Sequence, residues 1–235
     1  MIKNRIFALF GAIFIPWAIS LAQETVPSVS PSVSYLSSDN EWIETSSIDD
    51  GEAPLEVTFR VNPQNMEGHI PAYEWHFRKL GDESDFMVRY EENTTYRFIE
   101  SGTFNVTLKT TLTDNNVELD SVTITVAISE SKLDFPNAFS PNGDGINDLY
   151  QAKTYRSIVE FHAYIFNRWG QKLFDWTDPS QGWNGKFHGT DVKDGVYFVL
   201  IKAKGADGHV YNIRKDVNLL RGYTNNGSSS STPSE

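Results

Sequence analysis

From Gly102 to Leu112 the chain alternates strictly. Phe104, Val106, Leu108, Thr110 and Leu112 fall on one side of an extended backbone, and Thr103, Asn105, Thr107, Lys109 and Thr111 on the other. A period of two is the signature of a strand with one buried face. The same alternation recurs at Leu55, Val57, Phe59 and Val61, at Tyr73, Trp75 and Phe77, and at Val122, Ile124, Val126 and Ile128. Shorter strand runs lie at 32–36, 41–45, 87–90 and 95–99. The acidic stretch Asp49-Asp50-Gly51-Glu52 reads as a turn, as do Ser101-Gly102 and Asp114-Asn115-Asn116. About seven strands at intervals of roughly 8–12 residues, joined by turn chemistry, specify a β-sandwich.

A second set of strands follows at 159–167, 171–176, 195–203 and 210–220, and no helical period is sustained there. Turns fall at Arg168-Trp169-Gly170, at 178–182, at 191–195 and at Ala206-Asp207-Gly208. This is a second, smaller sandwich. Phe161, Phe166, Trp169, Phe174, Trp176, Trp183, Phe187, Tyr197 and Phe198 supply the apolar bulk expected to fill it. The fold class is therefore all-β, with two consecutive immunoglobulin-like β-sandwich domains at 32–128 and 132–223.

What precedes and follows these domains reads differently. Lys3 and Arg5 come before an apolar run from residue 6 to 19, and Ser20-Leu21-Ala22 offers small residues for cleavage. That is the pattern of a secretory signal peptide, residues 1–22, shorter than the ~20 apolar residues that span a bilayer. Residues 23–31, rich in Ser, Pro and Val, read as a linker, and residues 224–235, rich in Asn, Gly and Ser, as a disordered tail. The chain has no cysteine, which excludes disulfides, thiolate metal sites and cysteine nucleophiles.

Charge separates the two halves. Residues 23–130 carry 20 acidic and 6 basic side chains, a balance of −14, whereas residues 131–223 carry 10 acids and 12 bases, a balance of +2. The first half has no cationic surface to release counterions from a polyanion, so nucleic acid is excluded as its partner.

The densest cluster of oxygen-bearing side chains sits where the halves meet, in Phe139-Ser-Pro-Asn-Gly-Asp-Gly-Ile-Asn-Asp148. Pro141, Gly143 and Gly145 force tight turns. Asn142, Asp144, Asn147 and Asp148 have two readings: a Ca²⁺ cradle, since calcium takes several oxygen ligands, or a turn that hydrogen-bonds its own backbone. No Glu stands at EF-hand spacing. Trp183-Asn184-Gly185 and Gly195-Val196-Tyr197 read as hairpin-turn chemistry that could also touch a partner.

Nothing in the sequence points to catalysis. His69, His76, His162, His188 and His209 have no metal-ligand spacing, and neither Gly-x-Ser-x-Gly nor His-Glu-x-x-His occurs. His76 is expected on the surface, because Tyr73, Trp75 and Phe77 take the inward positions. Trp42 or Tyr90, if exposed, could stack on sugars, although a lone Trp in a β-domain more commonly fills the core.

Two resemblances follow from these residues. The first half resembles a PKD-type immunoglobulin-like domain through Gly51-Glu-Ala-Pro-Leu-Glu-Val-Thr-Phe59, Tyr73-Glu-Trp-His-Phe77, Tyr96-Arg-Phe98 and Gly102-Thr-Phe-Asn-Val-Thr-Leu108. It departs at His76 and in the longer turn after Phe77, where that family has an Asp and a tight acidic turn. The second half resembles the gliding-motility-associated C-terminal domain of Bacteroidetes. The match runs through 135–148, Ile165-Phe-Asn-Arg-Trp169-Gly170-Gln-Lys-Leu-Phe174, Gly182-Trp183-Asn184-Gly185-Lys186 and Asp194-Gly195-Val-Tyr197-Phe198. That resemblance implies a type B sorting signal for type IX secretion, with a PorP/SprF-like outer-membrane protein as partner. The tail after residue 223 departs from it.

The expected protein is thus an exported, non-enzymatic binding or adhesion protein, at the cell surface or secreted, with a glycan or protein ligand. Its alternatives are a structural subunit of a periplasmic or outer-membrane assembly, docked through the C-terminal domain, and a carbohydrate-binding accessory protein.

Overall fold

A computed structural model describes residues 26–222. The expected signal peptide and tail lie outside the described residues. Among those residues none is helical, and no helix is long and apolar enough to cross a membrane.

The first half is a sandwich of two sheets. One runs Trp42–Thr45, Ser32–Leu36, Leu55–Arg60, Thr94–Phe98 in spatial order. The other runs Ile48–Gly51, Val122–Ile128, Gly102–Leu112, Pro71–Lys79, Met87–Arg89, with Val117–Glu118 folded back on Gly102–Leu112. The alternating residues meet between them: Val33, Val57 and Phe59 from one sheet, and Trp75, Phe77, Val106, Leu108 and Val126 from the other, all fully buried. Register places Val106 opposite Phe77 and Leu108 opposite Trp75. The Phe59 ring lies 5.4 Å from Phe77, edge to face, and 5.7 Å from Trp75. The Trp75 indole N–H donates to the Glu91 and Glu92 carbonyls at 3.1 and 3.3 Å, which satisfies the one polar atom of a buried ring.

Three sequence expectations change here. The stretch read as an acidic turn contains a strand, Ile48–Gly51, paired in parallel with Val122–Ile128. Its ends, Ile48 and Gly51, are buried, and Asp49 and Asp50 face out. A Cβ on Gly51 would come within 2.9 Å of Ile128 and Leu55, so the glycine is there for close packing rather than for a turn. The linker contains a two-residue strand, Ser28–Val29, paired with Pro63–Gln64. Trp42 is 75% exposed, because it shares the outer face with Glu44 while Ile43 and Thr45 point in.

The second half is built on a five-stranded sheet in the order Ala138–Phe139, Val210–Leu219, Gly195–Gly205, Ile158–Phe166, Lys172–Trp176. The inner face of the sheet, with Ala163, Ile165, Val199, Ile201 and Val217, packs with Leu133, Phe135, Tyr150 and Trp183. These come from the opening loop and from short ribbons such as Tyr150–Gln151 with Gly182–Trp183. Four aromatics expected in this core are elsewhere: Phe166 and Phe187 are only partly buried and stand outside the packed cluster, and Trp169 and Phe198 are exposed. Trp169 is 85% exposed at the tip of the hairpin joining Ile158–Phe166 to Lys172–Trp176. Phe198 alternates with the buried Tyr197 and Val199 and so lies half-exposed on the outer face.

Candidate functional site

The loop at 139–148 satisfies itself. Both oxygens of Asp148 accept backbone amides, Gly143 N–H at 2.7 Å and Gly145 N–H at 2.8 Å. Asp144 accepts Ile146 N–H at 2.8 Å and the Asn142 side-chain amide at 2.9 Å, and the Asn142 side-chain oxygen accepts Asp144 N–H at 3.0 Å. Asn147 closes the loop through its carbonyl, which accepts Ser140 N–H at 2.8 Å. Gly143, Gly145 and Asn147 all adopt positive φ, the conformation that aims successive N–H groups at the two carboxylates. Hydrogen bonds to the charged form hold the Asp148 carboxyl below its ordinary range, the Gly143 amide contributing most and the Gly145 amide next. The geometry is that of nested Asx turns. Among the described residues no group of three or more His, Cys, Asp or Glu side chains is arranged to hold a metal.

Behind this loop stands an aromatic pillar. Phe139 is buried against Trp183, ring to ring at 5.4 Å, and Trp183 meets Tyr197 edge to face at 5.1 Å. Trp183 donates its indole N–H to the Lys186 carbonyl at 2.8 Å, and Tyr197 its hydroxyl to the Lys193 carbonyl at 2.6 Å. The Asn184 side-chain oxygen accepts Lys186 N–H at 3.2 Å and so shapes the turn. Gly185, at φ 75°, lies so close to Pro141, Leu219 and Arg221 that a Cβ would meet each at 3.0 Å. Gly195 starts its strand at φ 146°. Most of the residues singled out from the sequence are therefore brought into direct contact through this pillar and its turns, and two stand apart from it at the same end of the sheet. Trp169 and Gly170 sit on the separate 167–171 hairpin, whose tip is shaped by the Asn167 side chain accepting the N–H of Trp169 at 2.9 Å and of Gln171 at 3.1 Å.

One residue the sequence reading missed is Arg221. Its guanidinium donates to the Gly185 carbonyl at 2.8 Å and to the Val192 carbonyl, and pairs with Asp194 at 3.1 Å. It clasps the end of the last strand to both neighbouring turns. A lone Arg after a strand carries no sequence signal for this.

Strand register fixes where these parts lie. Phe166 is opposite Phe198, and Gly195 opposite Leu219, which precedes Arg221, whereas Ile158 is opposite Gly205. The 139–148 loop, the Trp183 pillar, Arg221 and the Trp169 hairpin thus gather at one end of the sheet. The Gly205 turn marks the other end. Gly195–Gly205 has 11 residues, so the ends are separated by ~33 Å at about 3.3 Å per residue.

Histidines are engaged singly rather than as ligand sets. His76 is half-buried between Asp85 at 2.8 Å and Glu74 at 3.1 Å, less open than the surface position expected of it. His69 meets Asp114 at 3.0 Å. His162 meets Asp175 at 3.1 Å and the Tyr164 hydroxyl at 2.9 Å.

The fold and its loops define an all-β protein of two sandwich-like units, the second closed by a self-bonded Asn/Asp/Gly loop. Residues 133–229 match the family described as the CHU_C type IX secretion signal domain. Behind its β-sandwich the chain therefore carries a region that matches a type IX secretion signal domain, which marks it for export to the cell surface or beyond by the type IX machinery. No curated protein matches the chain. Among solved structures, the FN1–FN3 domains of chicken CNTN1 are 11% identical, with 76% of this chain and 68% of that one covered, at a TM-score of 0.29. The Bacteroides ovatus mixed-linkage glucan utilization locus protein SGBP-B, solved with a heptasaccharide, is 13% identical at a TM-score of 0.26. The match covers 74% of this chain and only 42% of that one. Three N-terminal domains of the bacteriophage RB49 outer capsid protein Hoc are 13% identical at a TM-score of 0.33, with 83% of this chain and 59% of that one covered.

Proposed function

We propose that the chain is a non-enzymatic binding protein displayed at the cell surface, its PKD-like first sandwich the passenger and its C-terminal domain the address. The observation that carries this reading is the secretion signal domain matched at 133–229 behind a folded sandwich with exposed aromatics. Trp42 and Tyr90 are 75% and 76% exposed, and Trp42 lies directly opposite the exposed Leu36 on the outer face of its sheet. Large apolar side chains held open to solvent suit a ligand surface, glycan or protein. In the C-terminal domain, the motif residues divide into two roles. Phe139, Trp183, Gly185 and Tyr197 shape the end of the domain, and the open Trp169 touches the export partner, a PorP/SprF-like outer-membrane protein.

Export is tested by treating intact cells with a non-permeant protease and mapping the released peptides. Peptides from 32–128 should be released from wild-type cells and protected when the type IX system is disabled. Release that does not depend on that system would overturn the reading. Ligand class is tested on a glycan array, where Trp42→Ala should abolish any binding that the wild type shows.

A further inference from the structure

We propose that the C-terminal domain is a permanent part of the exported protein: it closes the base of the first sandwich and is not a detachable tag. The inference deepens the reading of 133–229 as an export domain and rests on it.

Ala206, in the turn after Gly195–Gly205, is buried and belongs to the apolar core of the first sandwich, where Val159 also packs. Its backbone is held from both halves: the Ala206 carbonyl accepts Ser101 N–H at 3.0 Å, and its N–H donates to the Ser157 carbonyl at 2.9 Å. Ser157, buried and at positive φ, accepts Ala53 N–H on its hydroxyl at 3.2 Å. Ser129 donates both its N–H and its hydroxyl to the Gly51 carbonyl at 2.9 Å, and accepts Arg156 Nε at 2.7 Å. Arg156 then pairs with Asp50 on the strand that the sequence had hidden as a turn. Gly205 has no room for a side chain, since a Cβ would lie 2.1 Å from the Ser131 hydroxyl.

Two domains joined only by a tether do not share buried backbone amides. Removing residues beyond 131 would exchange the acceptors of Ser101 N–H and Ala53 N–H for water and uncover the apolar floor of the first sandwich where Ala206 and Val159 pack, at the cost of that apolar burial. Nor does sorting require the domains to separate. The 139–148 loop, Arg221 and Trp169 lie at the end of the sheet opposite this junction, so the machinery can grip one end while the other stays docked.

The test has two readouts on the full chain. Intact mass and peptide mapping of the mature protein should find 132–222 covalently joined to 32–128. In hydrogen exchange on the purified chain, Ala206→Glu should speed exchange about tenfold in first-sandwich peptides spanning 48–53 and 99–106. Arg156→Ala, which leaves the apolar contact intact and so guards against simple misfolding, should speed the same peptides by a smaller factor. A mature protein ending before residue 132 overturns the proposal, and so does exchange that changes only around the substituted turn in both variants. Failure of the export reading looks different: a full-length chain of which neither half is reached by protease until the outer membrane is opened.

Discussion

Trp183 and Trp169 come from adjacent blocks of the same domain, yet one is fully buried and the other open to solvent, and truncating each to alanine separates the two environments. Trp183 is fully buried, packs against Phe139 and Tyr197, and donates to the Lys186 carbonyl. Removing a buried aromatic of this size costs about 3–5 kcal/mol in lost transfer energy and residual cavity. The lost hydrogen bond adds about 1 kcal/mol, less where water reaches the Lys186 carbonyl. Against a total of about 5–15 kcal/mol for a typical domain, Trp183→Ala should leave the C-terminal domain marginal or unfolded. Trp183→Phe, which keeps the ring contacts, should cost about 1–3 kcal/mol. Trp169 is 85% exposed at a hairpin tip, and Trp169→Ala should stay within about 0.5 kcal/mol of wild type. The assay is urea unfolding followed by far-UV circular dichroism, since fluorescence would lose its own probe. Equal losses from the two alanine variants would refute the division into a packed pillar and an exposed hairpin tip.

The other predictions concern charge, metal and space. Asp148, Asp175, Asp114 and Asp85 all have carboxyls held below their ordinary 3.8. The first causes are, in turn, the Gly143 amide, the Lys172 ammonium, the Ile70 amide and the His76 ring. The unfolded chain then takes up protons first as pH falls. The stability they supply is therefore intact above about pH 5 and is lost as pH drops through the unfolded value towards the folded ones. Melting temperature measured from pH 6 down to pH 2 should fall on that limb, and Asp148→Asn should flatten the limb while lowering the plateau. Because both carboxylates of the 139–148 loop already accept backbone or side-chain amides, neither calcium nor a chelator should move the melting temperature of the wild type. Asp144→Ala and Asp148→Ala should each lower it, and a calcium-dependent rise in the wild type would show that the loop is a cation site instead. Gly205→Ala drives a methyl group into Ser131 and should cost about 1–3 kcal/mol by overpacking, read as a lower urea midpoint.

The strands were legible because alternation is local. Phe104 to Leu112 and Leu55 to Val61 announce both their form and their buried face within a few residues. Ile48–Gly51 was not legible, because Asp-Asp-Gly is turn chemistry by composition and its pairing partner is the closing strand, more than 70 residues away. Trp169 was countable as core only by ignoring its position in Asn167-Arg-Trp-Gly170, whose turn signal puts its side chain in solvent. Trp42 likewise alternates with Ile43 and Thr45, which are the pair that points inward. In the loop, the clustering of Asn, Asp and Gly was visible, but which carboxylate accepts which amide depends on φ at Gly143, Gly145 and Asn147. The junction was beyond reach. Its hydrogen bonds join residues such as Ala53 and Ser157, 104 positions apart, and a serine in a loop has no signature for that contact.

If the C-terminal domain is the export address, it should direct export of whatever precedes it. The direct measurement places a signal peptide and a folded reporter ahead of residues 131–235 and scores reporter on intact cells with a non-permeant label. The reporter should be labelled in cells with a working type IX system and unlabelled, behind the outer membrane, when that system is disabled. A reporter that stays behind the outer membrane in both strains would contradict export by this domain.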